Sequence, residues 1–87
     1  KQAVEIIGFL NAKAGKHFPT AKTNVDRIVG ILASGVSVDD IHAVIAKKVR
    51  EWGGDPKMSQ YLQIGTLFAP RNFHAKYHGQ IPPARPE

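Results

Sequence analysis

Three times in the first 54 residues the chain repeats one pattern: apolar residues at helical spacing, then a glycine that closes the run. In residues 2–14, Ala3, Ile6 or Ile7, Leu10 and Ala14 share a helical face. Lys13 and Gly15 then supply a last-turn cation and a left-handed C-cap. The second run carries Val25, Ile28, Val29 and Leu32 and closes at Ser34-Gly35. It opens on Thr23, with Asp26 three residues later as a loose capping box, or at Thr20 behind Pro19. The third run carries Ile41, Val44, Ile45, Val49 and Trp52 and closes at Gly53-Gly54. Ser37 is its N-cap, and Asp39 and Asp40 lie in its first turn, where the helix dipole favours negative charge. No stretch alternates apolar and polar residues long enough to specify a strand. Three such stripes must bury one another.

The remainder is shorter-ranged. Asp55-Pro56 offers a cap and a favoured first helical residue, so a short helix is expected with Met58, Tyr61 and Leu62 inward. Residues 64–68 read as an apolar turn. Residues 70–79 read as a last short helix, with Phe73 and Tyr77 four apart and Gly79 as terminator. Residues 80–87 hold three prolines and are expected to be extended and mobile. The expectation is an all-α fold: a small bundle of three main helices plus one or two short C-terminal helices. Residues 1–79 form a single helical domain and 80–87 a flexible, Pro-rich tail.

A chain of 87 residues suits one domain and buries only about 60% of its unfolded surface. With no cysteine, neither a disulfide nor a Cys-based zinc site can reinforce it, which is compatible with a reducing compartment. No apolar run approaches the roughly 20 residues that span a bilayer, so no membrane partner is expected. No signal peptide is visible, because Glu5 and Asn11 interrupt the first segment. The first residue is lysine, so the chain is expected to be a piece of a longer protein. Twelve Lys and Arg against seven Asp and Glu give a net charge of +5, which favours polyanionic partners.

Lys48 falls inside the apolar arc of the third helix, whereas Lys47 and Arg50 point to the other side. Two fates are open to it. It can snorkel, with methylenes on the core and ammonium in water. Alternatively it meets an anion beside Trp52, and that anion can be Asp55 or Glu51 of its own chain. Trp52, the sole tryptophan, suits either a core or a base-stacking platform. Tyr61, Phe68, Phe73 and Tyr77 share that ambiguity and are interleaved with Lys57, Arg71 and Lys76.

Catalytic signatures are missing. Gly53-Gly54 is followed by Asp-Pro rather than Lys and Ser/Thr, so there is no phosphate-binding loop. His74 and His78 have chelating i, i+4 spacing, but no acid or cysteine stands near them, and His17 and His42 are isolated. No enzyme activity, cofactor or metal is expected.

The stretch from Val44 to Tyr77, "VIAKKVREWGGDPKMSQYLQIGTLFAPRNFHAKY", resembles the conserved C-terminal domain of phage replication proteins. That family shows a "VI…K…EW" helix followed by "D.KM..YLRP.TLF….F..Y". Upstream, "EIIGFLNAKAGKHF" is similar to its opening "LN.KTGK.F", and "ILASGVSVDDIHAVI" to its middle segment. The resemblance spans roughly residues 4 to 77. The matching positions are Lys48, Trp52, Asp55, Lys57, Met58, Tyr61, Leu62, Thr66, Leu67, Phe68, Phe73 and Tyr77. Gln63-Ile64 departs from the family's Arg-Pro, so any contact made by that arginine is missing here.

The resemblance implies a C-terminal module of phage or prophage replisome organisers, of lambda O-type or DnaD-like kind, acting in the cytoplasm of a bacterial host. Such proteins carry an N-terminal winged-helix domain for the origin. Their C-terminal part is expected to recruit the replicative helicase or helicase loader, with single-stranded or origin DNA as a further partner. Phosphate contacts are expected from Lys47, Lys48, Arg50, Lys57, Arg71 and Lys76, with Trp52 or Tyr61 as stacking groups. Two other readings stay open. One is a protein-interaction domain without DNA contact. The other is a helix-turn-helix duplex DNA binder built on the turn at 34–37, against which the acids opening the third helix argue.

Overall fold

The computed structural model describes residues 2–80, and among them every regular element is helical. The order is α1 (Gln2–Ala14), α2 (Lys22–Ala33), α3 (Val38–Trp52), a 3-10 turn (Ser59–Tyr61), α4 (Ile64–Leu67) and α5 (Pro70–Asn72). α5 continues without a break into a π-helical turn (Phe73–Tyr77) and a 3-10 turn (His78–Gln80). The fold is all-α, as the three stripes require.

α1 packs on α3 and α2 lies against α1, so the stripes meet in one core. Ala3, Ile6, Ile7 and Leu10 come from α1, Ile28 and Ile31 from α2, and Ile41, Val44 and Ile45 from α3. Ile64, Leu67, Phe68, Phe73 and Tyr77 close this core from the C-terminal side. The α2 stripe sits one notch from its expected place. Ile31 is buried, whereas Val29 is 47% exposed. Val29 follows Ile28 by one residue, 100° round the helix, which carries it off the side that α1 and α4 cover, where Val25 and Leu32 remain partly buried.

The helix ends explain the turns. Gly15 adopts φ 67°, and the Lys16 N–H donates to the Asn11 carbonyl at 3.1 Å, a left-handed C-cap as the sequence suggests. Ser37 caps α3 by accepting from the Asp40 N–H at 3.0 Å. The capping box proposed for α2 is not formed. That helix starts two residues earlier, behind Ala21, so Thr23 lies inside its first turn and the Asp26 carboxylate pairs with Lys22 at 2.7 Å.

The α2 and α3 axes differ by 118° across the short turn between them. After α3, Asp55 accepts from the Lys57 and Met58 N–H groups at 2.9 and 3.3 Å. The expected short helix here is instead this capped turn followed by the 3-10 turn. Leu62 is buried, Met58 is half-buried and Tyr61 is 42% exposed, so only Leu62 is fully inward. The apolar turn at 64–68 contains α4. Ile64 is its first residue and is buried. Of the proposed tail, only Gln80 lies within the described residues.

Candidate binding surface

α3 presents Lys48 toward the core, between Ile45 and Trp52 on its inner face, and only 4% of the residue is exposed. Its ammonium donates to Glu51 Oε1 at 3.0 Å and to Gln80 Oε1 at 2.8 Å. It also lies 4.9 Å from the centre of the Trp52 ring and 4.6 Å from that of Tyr77. These distances are those of cation–π contacts. Of the two fates left open by the sequence, the second holds. Lys48 is pinned by a carboxylate of its own helix, and the partner is Glu51 rather than Asp55. Its ammonium is therefore not among the surface cations available to a phosphate.

Glu51 serves two lysines. Lys47 approaches its other oxygen at 2.7 Å while Lys48 holds the first. The hydrogen bond from Lys47, then that from Lys48, keeps the Glu51 carboxyl below the usual carboxylate range. Burial pushes the Tyr77 hydroxyl upward. Trp52 meets Tyr77 edge to face at 5.8 Å and Tyr61 at 6.5 Å. It is half-buried and packed on the core, so its ring is mainly a structural surface.

The expected site residues thus divide into two groups. Lys47 and Lys48 pair with Glu51 at the end of α3, Trp52 lies against Lys48, and Tyr61 meets Trp52. Arg50, Lys57, Arg71 and Lys76 are exposed and make no ion pair among the described residues. Tyr61 meets Trp52 edge to face and is 42% exposed. Residues 56–80 contain no Asp or Glu, so the cations there face no local acid.

Three contributors escaped the sequence reading. Gln80, assigned to the tail, supplies an oxygen to Lys48. Lys16 reaches the Ser59 carbonyl at 3.5 Å, which ties the end of α1 to the 3-10 turn. His78, considered as a chelator with His74, instead has Nε2 2.8 Å from Asp40 Oδ2. No group of three His, Cys, Asp or Glu converges among the described residues. Two shallow surface depressions, about 450 and 360 Å³, lie elsewhere, around Gln2 and Leu32.

Residues 6–78 match the protein family described as conserved phage C-terminus. The chain belongs to that family. No curated protein and no solved structure matches it. In this phage C-terminal domain the family match takes in the whole joint from α3 to Tyr77, and with it the Lys48 cluster apart from Gln80.

Proposed function

We propose that this domain is the C-terminal module of a phage or prophage replication initiation protein, and that it acts by binding rather than by catalysis. It recruits the replicative helicase or its loader and contacts single-stranded DNA along the outer face of residues 57–80. Membership of the phage C-terminal family supports the phage context, and the resemblance of the "EWGGDPKM" and "TLF" motifs to phage replication proteins supports the replication context. The observation that carries DNA contact is the acid-free segment 56–80, in which Lys57, Arg71 and Lys76 are exposed and unpaired among the described residues and Tyr61 is 42% exposed. Lysine and arginine neutralise phosphates, and an open aromatic ring stacks bases without demanding sequence.

Fluorescence anisotropy of a labelled single strand over a salt series tests this reading. Binding that weakens steeply with salt is expected, and no binding at low salt removes the DNA half. A pull-down with the host helicase and its loader, run beside it, tests the recruitment half.

The 118° turn between α2 and α3 favours a second reading, a helix-turn-helix on duplex DNA. Against it, α3 opens on Asp39 and Asp40, which would meet phosphates with like charge, and its Ile41, Val44, Ile45 and Lys48 are buried. Footprinting on random duplex pools would reveal a sequence motif only if that reading were correct.

A further inference from the structure

We propose that the Lys48 ammonium is the latch that holds the C-terminal helical run, residues 70–80, on α3. Trp52, Tyr77, Glu51 and Gln80 form an ammonium site that the chain fills with its own side chain. The helical run leaves α geometry where it meets α3, passing through a π turn and then a 3-10 turn. Such turns are uncommon and mark places where surroundings impose the path. Within four residues, Tyr77, His78 and Gln80 all reach α3: Tyr77 and Gln80 at Lys48, His78 at Asp40. Asp40 and Lys48 are separated by about 12 Å along the helix. The end of the run is therefore clamped along about two turns of α3.

Lys48 is the one buried charged residue among those described. A buried cation is tolerated only when paired and hydrogen-bonded. An ammonium has three N–H donors. Glu51 and Gln80 take two, and the two aromatic rings flank the rest. Glu51 and Trp52 come from α3 itself, but Gln80 and Tyr77 come from the last turn. The burial of Lys48 and the docking of that turn consequently depend on each other. This holds whether or not the outer face of the run binds DNA.

Hydrogen exchange on Lys48→Ala tests the latch, read separately at residues 73–80 and in α1. Exchange at 73–80 should speed up roughly tenfold or more while α1 changes little. n-Propylammonium chloride, which matches the three carbons and ammonium removed beyond Cβ, should restore the slow exchange and the fluorescence of Trp52, whereas n-propanol and sodium chloride at equal concentration should not. Unchanged exchange at 73–80, or equal rescue by propanol, overturns the proposal. Lys48→Met, which keeps the volume but not the charge, should also loosen the run, and wild-type exchange in it would overturn the proposal as well. If Lys48→Ala does not fold, Gln80→Ala leaves every core side chain in place and carries the same exchange criterion.

Discussion

Asn11 and Phe18 hold each other across the loop between α1 and α2. Asn11 Nδ2 donates to the Phe18 carbonyl at 3.0 Å, and the Phe18 N–H donates to Asn11 Oδ1 at 2.8 Å. The amide thereby acts as a second strand of backbone, satisfying both polar groups of one loop residue. Asn11→Ala leaves a part-buried donor and acceptor unmatched and should cost about 1–3 kcal/mol. Asn11→Asp keeps the acceptor but turns an oxygen toward the Phe18 carbonyl, so it should also destabilise. Urea unfolding followed by circular dichroism measures both, with the midpoint falling at unchanged slope.

Glu51 makes a small pH-dependent contribution on the acid side. Its folded carboxyl lies below the ordinary value of 4.5 because Lys47 and Lys48 donate to it. A depressed acid stabilises the fold above the unfolded pKa, and that contribution disappears as pH falls through the folded value. Thermal melts should therefore show Glu51→Gln less stable than wild type at neutral pH, with the gap closing below about pH 4.5. The partial exposure of Glu51 keeps the effect small.

Tyr77 makes its contribution on the alkaline side. Burial raises its hydroxyl pKa above 10.0, so the folded state retains the proton longer than the unfolded chain. That contribution is complete below about pH 10 and is lost as pH rises through the higher folded value. Tyr77→Phe should flatten the alkaline decline in melting temperature while the ring stays over Lys48.

The helical class, the inner faces of α1 and α3, the Ser37 cap and the turn at Gly15 are all visible in local spacing, because each depends on residues within one or two turns. The inward place of Lys48 is visible for the same reason. Its partners divide by distance. Glu51 is three residues away, one turn along the same helix, whereas Gln80 is 32 residues away and carries no local mark. The Asn11–Phe18 clamp was hidden too, since an asparagine before a C-cap glycine reads as ordinary helix-end polarity. The exposure of Val29 is not legible locally, because α2 has apolar residues on more than one side and the side that is covered depends on how α1 and α4 pack on it.

Two adjacent glycines should respond differently to the same change. A Cβ on Gly53 would lie 2.5 Å from the Val49 carbonyl oxygen, which already accepts the Gly53 N–H at 2.7 Å. Backbone cannot give way as a flexible side chain does, so Gly53→Ala should cost about 1–3 kcal/mol. A Cβ on Gly54 meets nothing within 4 Å and that residue has no positive φ. Gly54→Ala should be neutral or stabilise by up to about 1 kcal/mol, through the unfolded chain. Paired denaturant melts distinguish the two.

The DNA reading makes a prediction about salt rather than affinity alone. Each phosphate neutralised on a single strand contributes about −0.7 to the slope of log K against log salt. Arg71 and Lys76 are exposed on the last helical run, with no acid in residues 56–80 to offset them. If each meets a phosphate, Arg71→Gln with Lys76→Gln should make the slope shallower by about 1.4. Lys22→Gln removes a cation already paired with Asp26 and should leave the slope unchanged. Anisotropy titrations of the same oligonucleotide at four or so salt concentrations measure both. Equal slopes for wild type and the double variant would move the contact away from residues 70–80 and toward Arg50 and Lys57.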